Sequence, residues 1–136
     1  MAALPHQSIK QGLLREFLSF LPAQSVLSES EDLRPYECDG LAVYRQVQLL
    51  AVLPSSEAEV ARILAICHRV RVPVVARGAG TGLAGGATPR ADAVLLSLAK
   101  LNRILAVDPL ARLARMTIDN MRSALLSNPR AACNMG

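Results

Sequence analysis

The stretch Val72-Pro73-Val74-Val75-Ala76-Arg77-Gly78-Ala79-Gly80-Thr81-Gly82-Leu83-Ala84-Gly85-Gly86 decides how the rest of the chain reads. Val72 to Ala76 is a β-branched run of strand type. Pro73 cannot donate to a sheet ladder, so it predicts a strand start or an edge position. Five of the chain's eight glycines follow directly, between residues 78 and 86. Glycine lacks a Cβ, so its backbone takes positive φ, approaches other groups closely and lets consecutive amides converge on an anion. Inside regular structure a glycine costs roughly 0.5 to 1 kcal/mol relative to alanine, and a tight turn needs only one or two. Such a density points to a phosphate-binding loop, with a flexible surface hairpin that binds nothing as the competing reading.

Three phosphate-binding designs can be compared with these residues. Gly80, Gly82 and Gly85 match G-x-G-x-x-G, but that fingerprint needs a helix to open on the loop so that its N-terminus faces the pyrophosphate. Here Gly86, Thr88 and Pro89 follow, and the next apolar run is strand-like. A Walker A loop ends in Gly-Lys-Ser/Thr, and residues 78 to 88 contain no Lys. The third design is a loop between strands that holds pyrophosphate with backbone amides and no helix.

Working outward, Gln48 to Leu53 has the length of a strand and stops at Pro54. Ser56 and Glu59 are spaced as a capping box. Val60, Ile63, Leu64, Cys67 and Val70 then mark a helix from about Ser56 to Val70. Strand, helix, strand is the unit that builds a parallel pairing through a crossover. Beyond the glycine loop, Ala93 to Leu98, Arg103 to Asp108 and Arg112 to Ile118 read as further strands. Upstream, Ser8 is a candidate N-cap for a helix presenting Ile9, Leu13, Leu14, Phe17, Leu18 and Leu21 on one face and ending before Pro22. Residues 23–40 are polar and punctuated and read as a connecting arm of loop and short turns. The whole is an α+β or α/β domain with a small mixed sheet and flanking helices, divided as residues 1–40, 41–114 and a tail 115–136.

A chain of 136 residues fits one domain of ordinary size. Its 51% hydrophobic content supplies a core, yet only 3% is aromatic, so that core is built from Ala, Leu, Val and Ile. Disorder by composition is excluded, because disordered chains are poor in aliphatics and strongly charged. The net charge of +4 comes from 13 Arg and two Lys spread along the chain, without interleaved aromatics, so nucleic acid is not an expected partner. Cys38, Cys67 and Cys133 lack the close paired spacing of a disulfide framework or a metal site. With no secretory signal pattern and no apolar run near the roughly 20 residues that cross a bilayer, the expectation is a cytoplasmic chain, at most peripherally attached to a membrane.

Pro54, the helix opening Ser55-Ser56-Glu57-Ala58-Glu59-Val60, the stretch Val72 to Gly86 and the later Leu101-Asn102-Arg103-Ile104 together resemble the N-terminal part of an FAD-linked oxidase. The fold is the PCMH-type FAD-binding domain shared by vanillyl-alcohol oxidase and p-cresol methylhydroxylase relatives. Within it the text is similar to the FAD-linked subunit of the glycolate oxidase type, near D-lactate dehydrogenases of the same kind. The resemblance runs from about residue 8 to about residue 114 and implies the first lobe of such a domain. It also implies an FAD whose pyrophosphate lies against Arg77 to Gly86, with the amides of Gly78, Ala79, Gly80, Thr81 and Gly82 as donors, the Thr81 hydroxyl as a further one, and Gly85 and Gly86 completing the loop. Some relatives attach flavin through a His in this loop. Thr81 stands at the comparable position, so the implied FAD is non-covalent.

Family members of this type move a hydride from a small 2-hydroxy acid, such as glycolate or D-lactate, to the flavin. They do so with other oxidase subunits as partners and with an inner-membrane association that runs through those subunits. Their substrate-binding and proton-accepting residues lie downstream of the resembling part, so no catalytic residue is assigned. Full-length relatives are several times longer, and after about Ala114 the family pattern is lost in MTIDNMRSALLSNPRAACNMG. The expectation is an incomplete domain, inactive alone, from a fragment or a shifted reading frame. A flavin-binding or subunit-docking module without redox chemistry, and a non-functional remnant, are the alternatives.

Overall fold

Thirteen residues, His6–Leu18, form helix α1, whose Leu13 and Phe17 lie one turn apart and are buried. The computed structural model describes residues 6–116. A 3-10 turn, Ala23–Ser25, leads into a two-residue strand β1, Val26–Leu27. A single helical turn α2, Ser30–Leu33, and a second 3-10 turn, Arg34–Tyr36, follow. Then come strand β2, Leu50–Val52, helix α3, Glu57–Arg69, and strands β3, Val74–Arg77, and β4, Val94–Ser97. Strands β5, Ile104–Asp108, and β6, Leu113–Met116, close the order. The result is the mixed α+β architecture that the periodicities predict.

The main sheet runs β1-β2-β4-β3. β2 and β3 both pair parallel with β4, and β1 pairs antiparallel with β2. Two sequence expectations change here. The strands on either side of α3 are parallel but not neighbours, because β4 lies between them. The arm over residues 23–40 is also more than loop, since Val26 and Leu27 extend the sheet by one short edge strand. Strand β1 was invisible because two residues carry no period.

Side chains on successive strand positions point to opposite faces, and β2 and β4 use both. Leu50, Val52, Val94 and Leu96 face a core with Leu13, Phe17 and Leu21 from the α1 segment and Ile63, Ile66 and Cys67 from α3. Ala51 and Leu95 face the other way, onto Leu33 of α2 with Leu27, Tyr36 and Val47. A sheet covered on both faces explains why QLLAVL and AVLLSL are continuous apolar runs.

Local details refine the helix readings. Helix α1 begins at His6, so Ser8 lies inside it and is not its N-cap. Ser56 does cap α3, its hydroxyl accepting from the Glu59 amide at 3.3 Å. The Glu59 carboxylate accepts from the Ser55 amide at 2.6 Å and the Ser55 hydroxyl at 3.1 Å, one residue upstream of the reciprocal bond a capping box requires. The buried stripe of α3 is Ile63, Ile66 and Cys67, while Leu64 and Val70 are exposed. The predicted stripe was thus rotated toward solvent and omitted Ile66. Residues 117 and 118, at the end of the last predicted strand, lie outside the described residues, as does the rest of the tail to residue 136 with Cys133.

Candidate functional site

Strand β3 is an edge strand that begins just after Pro73, so both readings of that proline hold. The glycine loop leaves its C-terminal end. In open sheets with parallel strands, ligands bind outside the carboxyl ends of the strands. Residues 78–93 connect β3 to its parallel neighbour β4, and they do so without a helix. This is a crossover of the helix-free kind, so the dinucleotide fingerprint with a following helix does not apply.

Gly80 and Gly85 take φ of +70° and +76° and use the left-handed freedom of glycine. Gly78, Ala79, Thr81, Gly82 and Gly86 are solvent-exposed, and Gly80 and Gly85 are half-buried. Among the described residues, no backbone amide from Gly78 to Ala87 donates a hydrogen bond within the chain. The loop is closed behind this run, where the Thr88 amide donates to the Gly85 carbonyl at 3.2 Å and Arg90 pairs with Asp92 at 2.8 Å.

The loop rests on a part of the arm that sequence reasoning set aside. A Cβ on Gly40 would come within 2.8 Å of the Thr81 carbonyl oxygen and 2.9 Å of that of Gly82. The backbone of the loop at Thr81 and Gly82 therefore packs directly against Gly40, with no room for a side chain between them. Asp39, only 5% exposed, holds the turn by accepting the Leu41 amide on Oδ1 at 2.8 Å, and its Oδ2 is buried without a partner. The Gln46 amide donates to the Glu37 carbonyl at 2.8 Å, and Arg45 pairs with Glu37 at 2.9 Å, which closes the arm into a loop of its own.

Arg77 joins the two segments. Its guanidinium donates through Nη1 to the Cys38 carbonyl, stands 5.6 Å from the centroid of the Tyr36 ring, and lies where a Cβ on Gly80 would be. Sequence reasoning missed Tyr36, Cys38, Asp39 and Gly40. The Asp39-Gly40 pair is a turn signal, but nothing in one sequence says which distant loop that turn will meet.

The other chemistry-bearing groups do not converge here. Cys67 is a core residue, as its spacing predicted, and burial, with the Glu16 charge adding to it, pushes its thiol up from 9.0 to about 11. His68 is exposed on α3, and no cluster of three His, Cys, Asp or Glu able to hold a metal occurs among the described residues. An open concavity lined by Glu16, Ser19, Arg62 and Arg69 involves none of the loop residues. The Cys67 shift sets a testable pH dependence. Below pH 9 folded and unfolded chains both keep this proton, and between 9 and about 11 only the folded chain does. Its contribution to stability therefore falls as pH rises through that window. Urea titrations at pH 8 and pH 10 are expected to show a larger loss in the native chain than in Cys67→Ala, and equal losses would refute it.

A family model described as an FAD binding domain matches residues 49–118. The glycolate oxidase subunit GlcD of Escherichia coli strain K12 is 44% identical over 126 residues, which is 93% of this chain and 25% of that protein. A probable mitochondrial D-2-hydroxyglutarate dehydrogenase of Oryza sativa subsp. indica is 35% identical over 92 residues, 68% of this chain and 16% of its own. The chain thus spans about a quarter or less of the length of these curated relatives. Among solved structures, p-cresol methylhydroxylase with substrate bound superposes with a TM-score of 0.66 at 27% identity, over 76% of this chain and 21% of its own. An alkyldihydroxyacetonephosphate synthase superposes at 0.74 with 21% identity, over 90% and 25%, which shows the shared fold. The glycine-loop crossover and its sheet therefore have the fold of a PCMH-type FAD-binding domain, and this chain belongs to the FAD-binding-domain family.

Proposed function

We propose that Arg77 to Gly86 is the diphosphate cradle of a non-covalent FAD site, in a chain that forms part of an oxidase or dehydrogenase for small 2-hydroxy acids. The observation that carries the cradle is the run of amides from Gly78 to Ala87, none of which has an acceptor within the described chain, at the carboxyl end of a parallel strand. A diphosphate presents several anionic oxygens, and convergent backbone amides stabilise such charge without ordering long side chains.

Gly78, Ala79, Gly80, Thr81 and Gly82 donate, the exposed Thr81 hydroxyl adds an O–H, and Gly85 and Gly86 let the chain turn close to the ligand. Arg77 supports the cradle from behind, holding the Cys38 carbonyl while its positive charge lies against Gly80. Residues 77 to 92 contain no His, Cys or Tyr that could carry a covalent flavin. FAD bound there would accept the hydride that a 2-hydroxy acid gives up as it becomes a 2-oxo acid.

Similarity to GlcD and to D-2-hydroxyglutarate dehydrogenase supports this substrate class. The resemblance to a glycolate oxidase subunit also supports other oxidase subunits as partners, and a cytoplasmic location is part of the same proposal. Thermal melts of the purified chain test the cradle. FAD is expected to raise the melting temperature, ADP to do so less, and riboflavin, which lacks phosphate, not to do so at all. No shift with FAD, or an equal shift with riboflavin, would overturn the assignment. Glycolate or D-lactate with an artificial electron acceptor is expected to give no turnover with this chain alone.

A further inference from the structure

Arg77 is held in place by neutral groups only. It is the last residue of β3, paired with Ser97 of β4, and its carbonyl accepts the Leu98 amide at 2.8 Å. Its backbone is thereby tied to the central strand of the sheet, while its half-buried side chain stands at the start of the loop. Arg45, Arg69 and Arg90 each pair with a carboxylate, but among the described residues Arg77 has none within ion-pair distance. A guanidinium does not shed its proton. Buried charges are kept paired in folded proteins, so a half-buried cation with neutral neighbours points to an anion from outside the chain.

The two groups that hold it are a carbonyl and a ring. Nη1 donates to the Cys38 carbonyl, and the guanidinium carbon stands over the Tyr36 ring, 5.6 Å from its centroid, inside the roughly 6 Å over which a ring face attracts a cation. The guanidinium also fills the space that a Cβ on Gly80 would need, so the loop lies directly on the charge.

Tyr36 ends the 3-10 turn Arg34–Tyr36 and packs on the cluster of Leu33, Ala51 and Leu95, which roots the ring in the sheet. Its hydroxyl makes no hydrogen bond among the described residues, so the ring alone does the holding. A carboxylate at this place would orient Arg77 and cancel its charge. An aromatic face orients it and leaves the charge available.

We propose that Tyr36 is a positioning residue for the diphosphate site: its ring holds the Arg77 guanidinium against the glycine loop as an uncompensated cation, and that cation favours a diphosphate over a neutral ligand. This inference rests on the reading of the loop as a diphosphate cradle, and it adds a residue outside the loop that acts through Arg77.

Fluorescence titration of FAD against variants of the 136-residue chain tests it. Tyr36→Leu is expected to weaken binding about fivefold, the upper end of what a cation–π contact supplies at a partly exposed site. Tyr36→Phe keeps the ring and is expected to bind as the native chain does. Arg77→Met is expected to lose at least tenfold. The double variant decides the matter, because residues that act through one another are not additive. In the Arg77→Met background, Tyr36→Leu is expected to cause no further loss, whereas a Tyr36 that only packs would weaken binding by the same factor in both backgrounds.

Additive losses, native affinity in Tyr36→Leu, or a Tyr36→Phe as weak as Tyr36→Leu would each overturn the proposal. Where Tyr36→Leu does not fold, Arg77→Lys carries the test, since it keeps the charge and loses the plane that lies over the ring. About a fivefold loss is expected there, and native affinity would overturn the proposal. A native chain that binds no FAD overturns the cradle and this inference together, and FAD binding that Tyr36→Leu leaves unchanged overturns this inference alone.

Discussion

Phe17→Ala is expected to remove about 3–5 kcal/mol of folding stability, the range for emptying a fully buried Phe site. Phe17 is fully buried on α1, in the cluster that joins α1 to Leu50 and Val52 of β2 and to Ile63 of α3. Its ring meets Phe20 edge-on at 6.4 Å, so the only two phenylalanines of the chain are lost as a pair. Leu, Ile and Val neighbours on rigid strands do not collapse readily into the space left behind. Domains of this size hold 5–15 kcal/mol in total, so one substitution consumes a large share and brings the urea midpoint sharply down. Leu18→Ala, one residue later but 44% exposed, is expected to stay within about 0.5 kcal/mol. A loss below 1 kcal/mol for Phe17→Ala would mean that α1 is not part of the core.

Gly40→Val is expected to weaken FAD binding by at least tenfold, or about 1.4 kcal/mol. The added side chain would meet the Thr81 and Gly82 carbonyl oxygens, starting with a Cβ at 2.8 and 2.9 Å. These are backbone atoms, so relief requires the loop to move away from the arm. Such a move shifts the peptides that carry the loop amides, and anion binding by amides depends on their convergence. The change acts on the loop through the arm, without altering any residue proposed to touch the ligand. Gly12→Ala is the control. Gly12 sits in α1 with nothing within 4 Å of an added Cβ, and alanine there is expected to stabilise the helix by roughly 0.5–1 kcal/mol. Fluorescence titration of FAD against the two variants gives the comparison. Unchanged affinity in Gly40→Val would show that the arm does not hold the cradle in shape.

Both results depend on a contact map that no short-range pattern contains. Helix α3 was legible because Ser56 and the apolar spacing behind it act within one or two turns. The predicted stripe still drifted toward Leu64 and Val70, since burial is decided by where the sheet lies and not by hydropathy alone. Strands β2 and β4 announced themselves as apolar runs of four to six residues. Their order did not, because each run is compatible with any neighbour. The loop was legible from its glycines, and its direct continuation into β4 was legible from the absence of a helical pattern.

The element types from β2 to β6, the glycine crossover and the family are readable without coordinates, because they rest on local periodicity and on a long ordered motif. Long-range packing settles that β4 separates β2 from β3, that Arg77 reaches back to Cys38, that Gly40 supports Thr81 and Gly82, and that β5 and β6 pair as a sheet apart from the main one among the described residues. Those are contacts between segments far apart in the chain. Their partners are selected by sheet register and by the packing of helices on the sheet, quantities defined only once the chain has folded.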